Sequence, residues 1–119
     1  MELWDAYDRE LNKLGGVTLV RGEEVPDGMY HLVSEVIVKH TDGEFLLMQR
    51  APTKHFGGMW EATAGGSALC GESPLDCARR ELLEETGLSG EFTRIGTVVH
   101  DGHRSIYAAV SYTHLTLPT

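Results

Sequence analysis

The segment SPLDCARRELLEETG constrains the fold most, because it carries the signals for both ends of a helix. Ser73 is a suitable N-cap with Asp76 three residues later, and Pro74 falls in the first turn, where its missing N–H costs no hydrogen bond. Gly87 stands where a left-handed C-cap residue is expected. The sequence therefore predicts a helix over residues 74–86.

Segments rich in β-branched and aromatic residues lie on both sides of this helix and predict strands. The clearest are 30–40, 45–50, 92–100 and 105–112, and ELWDAYD and GVTLVRG are weaker candidates. An Asp-Gly turn between the first two predicts a hairpin. MWEATAGG predicts a short strand that ends on its glycine pair. With 119 residues, the chain has room for one domain with one core.

Composition and charge exclude several classes of function. Eighteen acidic against ten basic side chains give a net charge of -8, which argues against a nucleic-acid polymer as the main partner. No segment offers the roughly 18 uninterrupted apolar residues of a membrane helix. The start, MELWDAYDRE, is acidic where a secretory signal would be basic and then apolar. We therefore expect a cytoplasmic protein that binds no membrane, and a homodimer is compatible with the sequence.

Three glutamates of the predicted helix share one face. At about 100° per residue, Glu81, Glu84 and Glu85 fall within an arc of about 100° beside the apolar stripe. Like charges at this spacing repel one another. One interpretation is a solvated helix face on which Arg80 pairs with Glu84. Two features favour the other interpretation, a bound cation: the glutamates are bunched, and the glycine-rich segment TAGGSALCGE directly before the helix lets backbone groups approach a ligand.

The chemistry of such a cation follows from its ligands. Carboxylate oxygens on a rigid helix favour Mg²⁺ or Mn²⁺. Magnesium usually completes its octahedral shell with waters and substrate phosphates. A metal held in this way can polarise a phosphoryl oxygen and lower the pKa of a bound water. The sequence therefore predicts a small phosphorylated substrate.

Nine residues at fixed spacing resemble the signature of the Nudix hydrolases, which we call the Nudix box, residues 66–88. That signature is Gly, five residues, Glu, seven residues, then Arg-Glu-U-x-Glu-Glu-x-Gly-U with U aliphatic. The chain supplies each fixed position: Gly66, Glu72, Arg80, Glu81, Leu82, Glu84, Glu85, Gly87 and Leu88. The resemblance implies the α/β class, a Nudix-type α/β/α sandwich around a mixed β-sheet. It also implies hydrolysis of a diphosphate bond in a nucleoside diphosphate linked to another moiety, by water attack at phosphorus.

The resemblance also implies a role for each acidic residue of the helix. Glu81, Glu84 and Glu85 would bind Mg²⁺ or Mn²⁺, and the carbonyl of Gly65 would complete the coordination. Glu81 or Glu84 would lie near the attacking water. Arg80 would orient these glutamates and so belong to the catalytic group. Which glutamate is the general base is left open, because its position varies within the family.

Other residues would support the site or bind the substrate. By the same resemblance, Gly66, Glu72 and Gly87 are structural residues of the box, and Glu72 would pair with Arg80 or bind a water. LLMQRAPTK is similar to the strand and loop that bring cations to the diphosphate in related proteins. Arg50 and Lys54 are therefore candidate substrate-binding residues, with a solvated surface cation as the alternative for each.

Two alternative functions stay open. YHLVSEVIV and LLMQRAPTKHFGGMWEATAGG also resemble the isopentenyl-diphosphate isomerases, which share the fold and transfer a proton. His31 takes the position of one histidine ligand of those enzymes. Their catalytic cysteine, however, falls at Gly65 or Ala64, and a second histidine ligand falls at Ser67. A nucleotide sensor without catalysis is the other alternative, and the intact glutamates argue against it.

The C-terminal end of the sequence departs from the family. Nudix proteins usually continue past the position of Tyr112 with further strands, a second helix and often another acidic ligand. This sequence ends in SYTHLTLPT, which resembles the translated adapter ends of some reading frames. We therefore predict a Nudix domain over residues 1–110 that is truncated at its C-terminus. We regard residues 111–119 as a segment that could be non-native.

Cys70 and Cys77 are the two cysteines of the chain. Their spacing matches neither a zinc knuckle nor a CxxC redox pair, so we expect two reduced thiols. On the helical wheel Cys77 falls close to the acidic face. We therefore expect thiol reagents or soft metals to inhibit the protein through this residue.

Overall fold

The computed structural model describes residues 1–40, 48–49, 52–53, 60–61, 63–87 and 92–114. This part of the chain forms eight strands, one α-helix and a short 3₁₀ turn. In chain order they are β1 (Leu3–Tyr7), β2 (Lys13–Val20), β3 (His31–His40), β4 (Met48–Gln49), β5 (Trp60–Glu61), β6 (Thr63–Ser67), α1 (Pro74–Thr86), β7 (Phe92–His100), the 3₁₀ turn (Asp101–His103) and β8 (Ser105–His114).

Helix α1 has the two ends that the sequence predicts. The Ser73 hydroxyl accepts a hydrogen bond from the Asp76 N–H, and the Asp76 carboxylate accepts one from the Ser73 N–H, which is a complete capping box. Gly87 adopts a left-handed conformation with φ of 75° and donates its N–H to the Leu83 carbonyl. The predicted helix over residues 74–86 is confirmed.

A mixed sheet with the strand order β6-β3-β8-β7 forms the centre of the molecule. Strand β3 runs parallel to β8 and antiparallel to β6, and β7 is antiparallel to β8. Alternate side chains of β3 and β8 point toward α1 and form much of the core, as period-two strands allow. These buried residues include Leu32, Val36 and Val38 of β3, Ile106, Val110 and Tyr112 of β8, and Ala78 and Leu82 of the helix.

The glycine pair of MWEATAGG lies inside β6 rather than at its end. Gly65 has φ of 143°, and a Cβ atom at this position would lie 1.9 Å from the backbone oxygen of Ser34. The missing side chain therefore lets β6 pair closely with β3. The described part of the 45–50 segment is Met48–Gln49, and it pairs with Trp60–Glu61. Strand β3 pairs with β6 and β8 instead, so the described residues do not form the predicted hairpin between segments 30–40 and 45–50; residues 41–47 lie outside them.

Strands β1 and β2 form an N-terminal antiparallel hairpin beside this sheet, which confirms the two weaker strand predictions. Tyr7 and Tyr30 exchange two backbone hydrogen bonds of 2.9 Å. The ring of Trp4 stacks on His31 at a centroid distance of 4.1 Å. The hairpin is thus attached to β3 through both its backbone and its side chains.

The described residues confirm the α/β class and the mixed sheet. They contain one α-helix, on one face of the sheet, and a second helical layer is not among them. Strand β8 continues past the predicted domain boundary after residue 110. Tyr112 is buried, and its ring centroid lies 5.0 Å from that of Phe92. The non-native origin of residues 111–119 stays a prediction. No helix in the described ranges is long and apolar enough to cross a membrane.

Candidate active site

The guanidinium of Arg80 connects the acidic residues of the Nudix box. Its Nε and Nη2 atoms donate to both carboxylate oxygens of Glu72, at 2.7 and 2.9 Å. Nη1 donates to Glu81 at 3.0 Å and to Glu84 at 3.3 Å, and Nη2 also donates to the backbone oxygen of Ser67 at 3.1 Å. One planar group therefore fixes two glutamates of α1 relative to strand β6.

Glu72 holds this guanidinium from the turn that precedes the helix. Its carboxylate accepts a further hydrogen bond of 2.7 Å from the Leu69 N–H. The hydrogen bonds from Arg80 lower the pKa of Glu72, against the opposing effect of burial. The same pairing with Glu72 raises the pKa of Arg80. Both groups are therefore charged at neutral pH, and they form a two-pronged ion pair of the kind that orients an arginine firmly.

Glu81 lies directly against the backbone of β6. A Cβ atom built on Gly66 would be 2.6 Å from its Oε1 atom and 2.8 Å from its carboxyl carbon. Only a glycine therefore leaves room for the carboxylate in this position. The side chain of Glu81 is 16% exposed, whereas that of Glu84 is 59% exposed. The helical wheel places all three glutamates beside the apolar stripe, and the structure confirms this position for Glu81, whereas Glu84 and Glu85 are exposed.

The structure places most of the predicted site residues around α1. Glu72, Glu81 and Glu84 each contact Arg80, and Glu85 is exposed one residue further along the helix. Gly66 and Gly87 occupy positions that depend on their missing side chains, as described above. Gly65 lies next to Gly66 in β6. Arg50 and Lys54 lie outside the described residues, so their substrate-binding role stays a prediction.

Carboxylates are suitable ligands for a hard cation, but in this structure those of Glu81 and Glu84 accept hydrogen bonds from Arg80. Glu81 and Glu84 both lie within 3.3 Å of the same Nη1 atom. Among the described residues, no three His, Cys, Asp or Glu side chains converge closely enough to hold a metal ion. The residues present fit Mg²⁺ or Mn²⁺ in donor type and in sharing one helix face, but in this arrangement their oxygens face Arg80 and not a common metal position.

His31 has the contacts of a structural histidine. Its Nε2 atom lies 2.9 Å from the Ser105 hydroxyl, which also lies 3.1 Å from the His103 carbonyl. Burial lowers the pKa of His31. Its Nδ1 atom is buried without a hydrogen-bond partner among the described residues. His31 is therefore a neutral side chain packed under Trp4.

Cys77 is less accessible than its position on the helical wheel predicts. It is fully buried, and its thiol donates to the Gly66 carbonyl at 3.4 Å. Burial raises the pKa of this thiol, which makes it less reactive. The expectation that thiol reagents act through Cys77 is therefore wrong for the folded protein. Cys70 is the exposed thiol.

One contact of the site escapes a sequence-based prediction. Arg80 donates a hydrogen bond to the backbone carbonyl of Ser67, so the identity of the Ser67 side chain gives no indication of this contact. Such a contact can be predicted only when the position of β6 relative to α1 is known.

The sequence model of the NUDIX domain matches residues 29–115 of the chain. The chain belongs to the Nudix family. An uncharacterized Nudix hydrolase of Listeria monocytogenes is 38% identical over 89 residues, which cover 74% of this chain and 52% of that protein. An isopentenyl-diphosphate Delta-isomerase of Serratia proteamaculans is 31% identical over 100 residues, which cover 83% of this chain and 55% of that enzyme. The chain spans about half the length of the curated relatives that it matches.

Structural comparison also finds Nudix proteins: a crystal structure of a mutT/nudix family protein from Listeria innocua is 25% identical and superimposes with a TM-score of 0.59, covering 77% of this chain and 68% of that one. A crystal structure of a Deinococcus radiodurans protein superimposes with a TM-score of 0.76, covering 98% of this chain and 75% of that one. The two sequences are 18% identical, so the likeness shows the fold alone. The part of the chain that the Nudix domain matches includes β3, α1 and β8 but not the N-terminal hairpin.

Proposed function

We propose that this Nudix chain hydrolyses the diphosphate bond of a nucleoside diphosphate linked to another moiety, with Mg²⁺ or Mn²⁺ and by water attack at phosphorus. The observation that supports it most is the arrangement of Glu72, Arg80, Glu81 and Glu84. Two carboxylates on one helix face are held by a guanidinium that is itself fixed from the preceding turn. This gives a rigid, acidic site in place of three independently solvated side chains.

The charge of the site argues for a divalent cation. Glu72, Glu81 and Glu84 place three negative charges against the single positive charge of Arg80. A diphosphate would be repelled by the remaining negative charge unless a cation lay between them. Glu81, Glu84, Glu85 and the carbonyl of Gly65 would hold that cation. When bound, Mg²⁺ or Mn²⁺ would polarise a phosphoryl oxygen and lower the pKa of a water molecule.

The remaining steps fall to residues of this chain. Arg80 keeps Glu81 and Glu84 at fixed positions beside β6, and Glu72 keeps Arg80 in place. Glu81 or Glu84 would accept the proton of the attacking water, since either carboxylate can serve as a base when a water lies within hydrogen-bond reach. Positively charged groups should also bind the diphosphate from the substrate side. We assign that role to Arg50 and Lys54 of the segment LLMQRAPTK.

The direct test is hydrolysis of a panel of substrates by the full-length protein with Mg²⁺ or Mn²⁺. The panel includes ADP-ribose, dinucleoside polyphosphates, NADH, nucleotide sugars and nucleoside triphosphates, and the products are separated by chromatography. We expect release of a nucleoside monophosphate or of phosphate from at least one of them. Binding of a nucleotide without turnover of any substrate would favour the sensor instead.

The isomerase is the second candidate, because a Serratia isomerase is 31% identical over 100 residues. In this chain, however, glycine, alanine and serine occupy the places of the cysteine and of the second histidine ligand, at residues 64–67. His31, at the position of the first histidine ligand of the isomerases, is stacked on Trp4 and hydrogen-bonded to Ser105. Incubation with isopentenyl diphosphate should therefore yield no allylic isomer, and its formation would overturn the hydrolase proposal.

A further inference from the structure

The turn before α1 determines where Glu72 lies. Residues 69–72 close a turn in which the Glu72 N–H donates to the Leu69 carbonyl at 3.0 Å. Gly71, at the third position, has φ of 84°, the left-handed conformation that a type II turn requires there. The Glu72 carboxylate returns to accept the Leu69 N–H. The position of this turn therefore sets the position of the carboxylate that holds Arg80.

Two residues of strand β1 accept hydrogen bonds from the two N–H groups in the middle of the turn. The Cys70 N–H donates to the Leu3 carbonyl at 3.1 Å, and the Gly71 N–H donates to the Asp5 carboxylate at 2.7 Å. The Asp5 side chain is 11% exposed, and the Lys13 ammonium lies 3.2 Å from the same oxygen atom. Burial alone would raise the pKa of Asp5, but the hydrogen bond from Gly71 and the charge of Lys13 lower it.

The hairpin that carries Asp5 is itself attached to the central sheet. Trp4 precedes Asp5 in β1 and stacks on His31 of β3, and Tyr7 is paired with Tyr30 through two backbone hydrogen bonds. Trp4 and Tyr7 are both buried. Asp5 therefore lies between two residues with fixed positions, and its hydrogen bond with the Gly71 N–H holds the turn in place.

We infer that Asp5 is a positioning residue for the active site, acting through the Gly71 N–H and the turn that places Glu72 against Arg80. This inference rests on the proposed hydrolase function for its effect on rate. Asp5 lies on the hairpin outside residues 29–115, so this support for the Nudix box comes from beyond the part of the chain that the family model matches. Loss of Asp5 releases one side of the turn and with it the orientation of the Arg80 guanidinium.

Asp8 supplies a matched control on the same hairpin. Its carboxylate also accepts two backbone hydrogen bonds of 2.9 Å, from the N–H groups of Glu10 and Asn12. Both contacts lie within the hairpin loop and leave the turn before α1 untouched. Asp8→Ala therefore perturbs the hairpin by a comparable change, and Asp5→Asn keeps an acceptor oxygen for Gly71 while removing the charge.

The first measurement follows the Arg80 Nε–H resonance by NMR, which needs no catalysis. We expect Asp5→Ala to shift and broaden it, whereas Asp8→Ala and Asp5→Asn leave it near its original position. In the unmodified protein, the Gly71 amide should exchange with solvent more slowly than the amide of Gly102, another exposed glycine. This second readout stands even if Asp5→Ala fails to fold. An Arg80 signal unchanged in Asp5→Ala, or an unprotected Gly71 amide, would overturn the inference.

The second measurement is the rate of hydrolysis. We expect Asp5→Ala to lower kcat about tenfold with KM changed less than twofold, because small displacements of catalytic groups are costly. Asp8→Ala should keep the rate of the unmodified protein. Equal losses in Asp5→Ala and Asp8→Ala would show a general effect of the hairpin and refute a specific role for Asp5. If the unmodified protein hydrolyses no substrate, the proposed function fails while the NMR result still decides the positioning role.

Discussion

Gly66→Ala should lower the rate of hydrolysis while it leaves the fold nearly intact. A Cβ atom at Gly66 would lie 2.6 Å from Oε1, 2.8 Å from the carboxyl carbon and 3.0 Å from Oε2 of Glu81. All three atoms belong to the end of one flexible side chain. The added methyl group therefore conflicts with the position of the Glu81 carboxylate and not with the backbone.

The size of the effect follows from these distances. Ordinary contact between a carbon and an oxygen atom begins near 3.4 Å, so the carboxylate has to move by roughly 0.8 Å. A displacement of about 1 Å in a catalytic group can lower a rate about 100-fold. Stability should change by less than about 1 kcal/mol, since a glycine-to-alanine change at a compatible backbone position also lowers the entropy of the unfolded chain. We therefore expect a loss of rate of about 10- to 100-fold.

Gly65→Ala is the contrasting variant, because its neighbour is backbone. Its Cβ atom would lie 1.9 Å from the Ser34 oxygen, at φ of 143°. We expect a loss of about 3 kcal/mol or more in the free energy of unfolding. Urea unfolding and hydrolysis assays on both variants separate the two effects. A Gly66→Ala protein that turns over at the original rate, or that loses as much stability as Gly65→Ala, would refute the assigned role of Glu81.

Three further predictions concern the acidic face and the thiols. Glu84→Gln should lower the rate at least about 100-fold in steady-state assays, with an unchanged thermal midpoint, and full activity would contradict its role as a ligand or base. Because pairing with Arg80 lowers the pKa of Glu72, the ionised form stabilises the fold above about pH 4.3 and this contribution is lost as the pH falls further. In urea titrations, the free energy of unfolding should fall less on acidification in Glu72→Gln than in the unmodified protein. Equal decreases would contradict the pairing. A thiol reagent should label Cys70 in the folded protein and Cys77 only after denaturation, as mass spectrometry can show.

The helix and the Nudix box could be predicted because their signals are local. Ser73, Pro74 and Gly87 mark the ends of α1 within its own sequence, and the structure keeps each of them in that role. The helical period alone places Glu81 and Glu84 on one face, next to the apolar stripe. The contact of Arg80 with Glu84 follows from a spacing of four residues, whereas its contact with Glu81, the next residue, does not follow from helical spacing.

The sheet order and the support from Asp5 could not be predicted in this way. Strand β3 pairs with β8, about 70 residues later in the chain, and the choice between partners depends on packing that no local pattern contains. The hydrogen bond from Gly71 to Asp5 joins residues 66 positions apart. An aspartate in a short N-terminal strand gives no sign of this contact, because its partner is a backbone N–H group.

Manganese binding at the acidic face of α1 tests the proposed chemistry most directly. Crystals of the protein soaked with Mn²⁺ would be measured at a wavelength where manganese scatters anomalously. We expect an anomalous peak about 2.0–2.3 Å from carboxylate oxygens of Glu81, Glu84 or Glu85. Carboxylates of Glu81 and Glu84 that remain on Arg80, with no manganese beside the helix, would contradict the account.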